Sequence, residues 1–307
     1  MRTRKLGKTD IEIGVIGYGA MSLSLQAMPE ETAFQLLHAV WSQGASLVDT
    51  ADCYCIDEND QHHNERLIVR ALAAYSGDRS RICIATKGGA VKIDGRWKLA
   101  GTPEALYRTI CESCETLGGP IPLWQHHWPS TEYSVAESMR PVRRAVDEKM
   151  ILHVGVSNYS IAQIREAQEL VEIVSVQNEY NLWRRDPETN GVLEYCEQQD
   201  LVFLPWRPMG GKGLAQRLGE IKPLENLVRE RGVSPHRLLL AWLMAKSKCV
   251  VPIPGSSRLE NALDALAAAD LRLTAQEMQA IDGIRVDELP GSERARSGNT
   301  FQRSQLR

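Results

Sequence analysis

Apolar residues recur along this chain in two alternating patterns. Short, nearly continuous runs, the mark of strands buried on both faces, alternate with stretches whose apolar positions return every three or four residues, the mark of helices. Ala33, Leu36, Leu37, Val40 and Trp41 predict a helix over 30–43, ended by Gly44. Leu67, Ile68, Ala71, Leu72 and Tyr75 predict the next. Leu106, Ile110, Cys114 and Leu117 mark a third, opened by Thr102 as N-cap and Pro103 at its first position. Val135, Met139, Val142 and Val146 predict a helix kinked or broken near Pro141. Further helices are expected over 161–170, 188–199, 223–231, 235–246 and 258–268, and a last one runs to Ile284 behind the capping box Thr274 to Glu277.

The apolar runs between them predict strands at 15–21, 46–49, 82–86, 122–125, 151–156, 171–176, 201–204 and 249–253. Ahead of these, Lys5 to Ile16 reads as an N-terminal β-hairpin turning at Gly7-Lys-Thr-Asp10, a plug for one end of a larger body. Eight strands, each followed by helix and with no linker, predict a single α/β domain over 1–307, a (β/α)8 TIM barrel. The polar stretch 285–307 forms its tail. A doubly wound sheet is the competitor. Its glycine fingerprint is incomplete: Gly17-Tyr-Gly19 is followed by Ser22 where the third glycine belongs. In a barrel, chemistry gathers where strands end and βα loops begin.

Three successive strands end in different proton-handling groups. Leu47-Val48 runs into Asp49 and then Tyr54; Ile82 to Thr86 runs into Lys87; Leu123-Trp-Gln runs into His126 and His127. On parallel neighbouring strands these groups meet at one rim. A lysine buried there needs a counter-charge, which Asp49 supplies, although a structural ion pair alone would look the same. An ammonium beside Tyr54 is expected to lower the phenol's pKa and make it a general acid toward a carbonyl oxygen. Because side chains alternate along a strand, only one of the two histidines faces the lumen. The set holds no obvious nucleophile and no metal-ligand spacing, and it fits proton donation during carbonyl reduction.

Composition narrows the picture without changing it. The 307 residues are 43% hydrophobic and 24% charged with a formal net charge of −3, so neither nucleic acid nor an anionic membrane surface is an expected partner. No apolar run has membrane-spanning length, and Met1-Arg-Thr-Arg-Lys5 opens no signal-peptide core, so cytoplasmic residence is expected. Seven scattered cysteines suit free thiols in a reducing compartment; Cys111-Glu-Ser-Cys114, inside a helical pattern, reads as structural thiols, with redox or metal work as the alternative. His62-His63 lacks metal-ligand spacing, and no metal is expected.

Six motifs in order resemble the aldo-keto reductase superfamily over nearly the whole chain: Asp49-Thr-Ala-Asp-Cys-Tyr54, Ala85-Thr-Lys-Gly-Gly89, Trp124-Gln-His-His-Trp-Pro129, Gly155-Val-Ser-Asn158, Gln177-Asn-Glu-Tyr180 and Ile253-Pro-Gly-Ser256. The resemblance implies a barrel that binds NADPH, with NADH as the alternative, and reduces a small aldehyde or ketone. It implies a tetrad: Tyr54 as acid, Lys87 as the partner lowering its pKa, Asp49 holding Lys87, and His127 orienting and polarising the carbonyl. It places Ser157, Asn158 and Gln177 on the nicotinamide carboxamide and Trp206 under the ring. Loop 209–214, with Met209, Gly213 and Leu214, matches the segment covering the pyrophosphate, and Arg207 and Pro208 beside it are further cofactor-binding candidates. Gly255, Ser256, Ser257 and Arg258 meet the adenosine phosphate. Tyr18, Trp97 and Trp128 are expected to wall the substrate pocket; the acidic, histidine-bearing 55–63 loop reads as solvated, with a cation-preferring pocket rim as the alternative.

Pro122 stands where the family usually has aspartate, and Asn261 and Ala265 replace a basic residue and an asparagine. The Ala85–Gly89 motif, the Gly95-Arg-Trp-Lys insert and Gly101-Thr-Pro-Glu-Ala105 look most like bacterial pyridoxal-reductase-type members. The rival from another class is a slow NADP(H)-binding regulatory subunit, like the superfamily's potassium-channel β-subunits. A third reading is a cofactor-free barrel. The sequence does not fix the substrate, the physiological direction or the oligomeric state.

Overall fold

The computed structural model describes residues 1–25, 28–93, 96–99, 102–285 and 289. Gly95, Gly101 and all of the expected tail except Arg285 and Leu289 lie outside the described residues. Strands β1 (Thr3–Lys5) and β2 (Glu12–Gly14) pair antiparallel. Strands β3 (Tyr18–Gly19), β4 (Leu47–Asp49) and β5 (Cys83–Gly88) open the main sheet. Strands β6 (Ala90–Ile93) and β7 (Arg96–Leu99) leave it as a separate antiparallel pair that the sequence pattern did not announce. Strands β8 (Leu123–His126), β9 (Val154–Ser157), β10 (Ile173–Gln177) and β11 (Val202–Phe203) complete it. The seven main strands lie side by side in the order β3-β4-β5-β8-β9-β10-β11, every neighbouring pair parallel. Parallel neighbours need crossover connections, which helices supply.

The sheet curls until its two edges meet the same segment. On one edge the Phe203 amide donates to the Cys249 carbonyl (2.9 Å) and the Val251 amide to Phe203 (2.8 Å). On the other, the Gly17 amide donates to the Pro252 carbonyl (2.9 Å) and the Gly19 amide to Pro254 (3.1 Å). The result is an α/β barrel. A regular strand was expected over 249–253, but only Val250 makes a bridge, to Phe203. Pro252 and Pro254 have no amide hydrogen, so this segment accepts from β3 and returns nothing. The expected first strand, 15–21, shrinks to Tyr18–Gly19, and Met21–Leu25 is already helical.

Packing follows strand alternation. Leu47, Cys83, Ala85, Leu123, Val202 and Leu204 form a lumen cluster with Val251 and Ile253, covered by Leu6 and Ile13 from the N-terminal pair. Ile84, Trp124, Val154, Val156 and Val176 point outward against the helices. The helix Val135–Asp147 runs through Pro141 without the expected break. A Ser134–Glu137 capping box fixes its start, and Met139, Val142 and Ala145 are fully buried around the proline. Those contacts outweigh one lost backbone bond. Among the described residues no helix is long and apolar enough to cross a membrane.

Gly19 lies where the first strand presses on the last segment: a Cβ there would stand 2.8 Å from the Ile253 carbonyl oxygen, which the backbone holds in place. Gly19→Ala should therefore destabilise the fold by roughly 1–3 kcal/mol. Urea denaturation reads this as a lower midpoint with an unchanged slope; an unchanged midpoint would show that the contact relaxes freely.

Candidate active site

The register brings the strand ends together. Asp49 closes β4 opposite Ala85, Lys87 lies opposite Gln125, and Gln177 lies opposite Ser157. Cys83, Ala85 and Lys87 alternate inward, so the lumen changes from apolar to charged within one strand. Lys87 is fully buried at 0% exposure and Asp49 nearly so at 4%. The Lys87 ammonium donates to Asp49 Oδ2 (2.7 Å), to the Thr50 carbonyl (2.7 Å) and to the Tyr54 hydroxyl (3.2 Å). These three acceptors match the three hydrogens of an ammonium. The other Asp49 oxygen accepts from Gln177 Nε2 (2.7 Å) and Gln125 Nε2 (3.2 Å).

Tyr54 is carried just past β4 by a turn in which its amide donates to the Ala51 carbonyl (3.2 Å). Its ring meets Trp97 and His127 edge-on, with centroids 6.1 and 5.9 Å apart. Burial pushes its pKa up from 10.0 to about 12 and outweighs the downward pull of Lys87. Lys87 thus acts in the expected direction, but the net shift is opposite to the one expected. The phenol keeps its proton across the neutral range, and the ammonium limits the cost of releasing it. Burial also opposes the charge on Lys87, but Asp49 more than compensates, with a smaller contribution from Tyr54, and the ammonium's pKa rises from 10.5 to about 12.

The two histidines divide as alternation requires. His126 points outward, stacked on Trp124 and bonded through Nδ1 to the Tyr159 hydroxyl (2.6 Å); burial takes its pKa down to about 4. His127 faces a cavity of about 2080 Å³. Burial, then Lys87 and His126, hold its pKa well below the ordinary value, so the ring is neutral.

That cavity collects the other expected residues. Asp49, Tyr54, His127, Ser157, Asn158, Gln177, Trp206–Met209, Gly213, Leu214 and Gly255–Arg258 line it, with Tyr18, Trp97 and Trp128. Of the expected catalytic and cofactor-binding residues, Lys87 alone lies behind the wall, bonded to Tyr54 and Asp49. Asn158 (φ +65°) donates through Nδ2 to the His127 carbonyl (3.0 Å) and accepts at Oδ1 from Trp206 Nε1 (3.0 Å). The Tyr18 hydroxyl donates to the Ser256 carbonyl. Asn261 and Ala265 also line the cavity near Arg258. Amide and hydroxyl groups, an aromatic face at Trp206 and the cations Arg207, Arg217 and Arg258 make a donor set suited to a nicotinamide dinucleotide.

The 55–63 loop does not wall the cavity. Lys92 holds its start by donating to the Cys55 (3.2 Å) and Ile56 (2.7 Å) carbonyls. His62, left-handed at φ +64°, turns inward to Glu65 (2.5 Å). The β6–β7 pair delivers Trp97 to the cavity wall. Sequence reasoning also missed Gln125, which shares Asp49 with Gln177; the alternation Leu123, Gln125, His127 carried that signal. Cys111 and Cys114 are unpaired and contact Met150 Sδ and the Gly119 carbonyl, as structural thiols do.

The model of the Aldo/keto reductase family matches residues 15–286. An uncharacterized oxidoreductase of Schizosaccharomyces pombe is 30% identical over 287 residues, covering 91% of this chain and 89% of the relative. A pyridoxine 4-dehydrogenase of Escherichia coli is 28% identical over 283 residues, covering 88% and 94%. Among solved structures, an aldo-keto reductase from Klebsiella pneumoniae in complex with NADPH superposes with a TM-score of 0.76 at 21% identity, over 94% of this chain and 99% of that one.

Two outcomes follow from the buried pair. Asp49→Asn leaves an uncompensated ammonium and should cost about 3–5 kcal/mol of stability, measured by chemical denaturation; a loss below about 1 kcal/mol would show the pair to be solvated. Lys87 and Tyr54 both have folded pKa values raised above their unfolded ones. Their contribution is therefore complete below about pH 10 and lost as pH rises through about 12. Circular dichroism across that range should show alkaline unfolding, displaced to lower pH in Asp49→Asn.

Proposed function

This chain belongs to the aldo/keto reductase family, and on that premise we propose that it is an NADPH-dependent oxidoreductase reducing an aldehyde or ketone to an alcohol. One observation carries the reading: the Lys87 ammonium bridges Asp49 and the Tyr54 hydroxyl, and that hydroxyl opens on the cavity beside His127. The fold that goes with it is a single (β/α)8 barrel closed below by its N-terminal hairpin.

A bound nicotinamide supplies the hydride that reduces the carbonyl carbon. The chain's own task is the oxygen. Tyr54 holds a proton at its hydroxyl and passes it to the carbonyl oxygen as negative charge develops there. The phenolate left behind faces the Lys87 ammonium, whose position Asp49, Gln125 and Gln177 fix. His127, neutral, donates a hydrogen bond to the same oxygen and sets its direction. Trp97, Trp128 and Tyr18 exclude water from the reacting carbonyl. Ser157, Asn158 and Gln177 hold the carboxamide, Trp206 supports the ring, and residues 207–214 and 255–258 hold the phosphates. Support for NADPH over NADH comes from Arg258 in the cavity lining and from the Klebsiella protein's complex.

Tyr54→Phe removes the proton and should lower kcat at least ~10²-fold while NADPH still quenches tryptophan fluorescence. Steady-state oxidation of NADPH and NADH over a panel of aldehydes and ketones measures it. Near-normal turnover by the variant would defeat the assignment. Tight NADPH binding with no turnover by the parent chain would favour the regulatory reading.

A further inference from the structure

We propose that Cys53 is a positioning residue: its thiol fixes which nitrogen of His127 carries the hydrogen. The inference rests on the reading of His127 as hydrogen-bond donor to the carbonyl. Cys53 Sγ lies 3.7 Å from His127 Nδ1, inside the wall that carries Tyr54 on the next residue. Among the described residues no other side chain bonds the ring nitrogens of His127. Asn158 holds its carbonyl, and the Tyr54 ring lies edge-on against it.

A neutral imidazole has one N–H and one bare nitrogen, and its partner decides which is which. Cys53 is 1% exposed. Burial and then the neighbouring Asp52 push its pKa well above the ordinary value despite Lys87, so it retains its S–H. A thiol hydrogen directed at Nδ1 keeps that nitrogen bare and leaves the ring hydrogen on Nε2, the atom free to meet a carbonyl oxygen. The opposite tautomer would set a lone pair against the oxygen's own.

The rival acceptor for the thiol hydrogen is Asp52. Its carboxyl is buried with neither oxygen hydrogen-bonded. Burial and Glu65 raise its pKa to about 8, against the opposing effects of His62 and of the Cys53 thiol and amide beside it; the geometry leaves the thiol its hydrogen-bond contact at His127 Nδ1 and none at Asp52. Cys55 does not compete either, since its own thiol donates to the Cys53 carbonyl (3.2 Å).

The test is long-range ¹⁵N–¹H correlation of the ¹⁵N-histidine-labelled full chain at neutral pH, with the His127 signals assigned by their loss in His127→Gln. The expected wild-type pattern is a bare Nδ1 and a protonated Nε2. Cys53→Ala should give mixed tautomers and a kcat lowered about two- to tenfold at unchanged KM for NADPH, as loss of one hydrogen bond implies. Cys53→Ser, which keeps a donor, should restore both. A wild-type ring protonated at Nδ1, or an alanine variant with the wild-type tautomer, overturns the proposal. The wild-type spectrum decides it even if the alanine variant does not fold. Because the spectrum needs no turnover, it separates this inference from the fate of the reductase reading, which Tyr54→Phe tests.

Discussion

A fully buried ammonium constrains everything around it. Removing a charge from water costs several kcal/mol unless the surroundings replace its solvation. Lys87 recovers that cost from one carboxylate, one backbone carbonyl and one phenol. Each acceptor comes from the β4 end or the turn after it, so β4 and β5 must be parallel neighbours in a fixed register. Asp49 in turn is held by amides from β8 and β10. Four of the seven main strands thus converge on one ion pair, and the curvature that brings them within reach is the barrel itself.

The same constraint connects stability to chemistry. Burial alone would make Tyr54 a poor proton donor, and its raised pKa records this. In the proposed reaction the ammonium would offset part of that penalty at the phenolate, where charge would appear during proton transfer. It already bonds the hydroxyl in the structure, so on this reading no reorganisation would be needed at that moment. His127 completes the site without adding charge, because burial, Lys87 and His126 keep it neutral. Beyond this centre the same cavity is lined by Trp206, Arg207 and Arg258.

Much of this was legible in the sequence because the chemistry stands at strand ends. Asp49, Lys87 and His127 each follow an apolar run; period-two alternation admits one of His126 and His127 to the lumen, and the family motif picks His127. Helix limits were readable where caps were explicit, at Thr102 and Thr274. What was not legible depends on depth or on distant partners. The net shift of Tyr54 is set by burial, which no local pattern encodes. The inward turn of His62 depends on Glu65 and on Lys92 reaching across from β6. The one-sided ladder at 249–254 was encoded in Pro252 and Pro254, but apolar content alone read as a strand.

The most direct test of the central claim is single-turnover NADPH oxidation by Lys87→Met, with folding checked by circular dichroism. If the ammonium makes Tyr54 competent as an acid, the transfer step should slow at least ~10²-fold while NADPH still binds. A folded variant that transfers hydride at the parent rate would contradict the account.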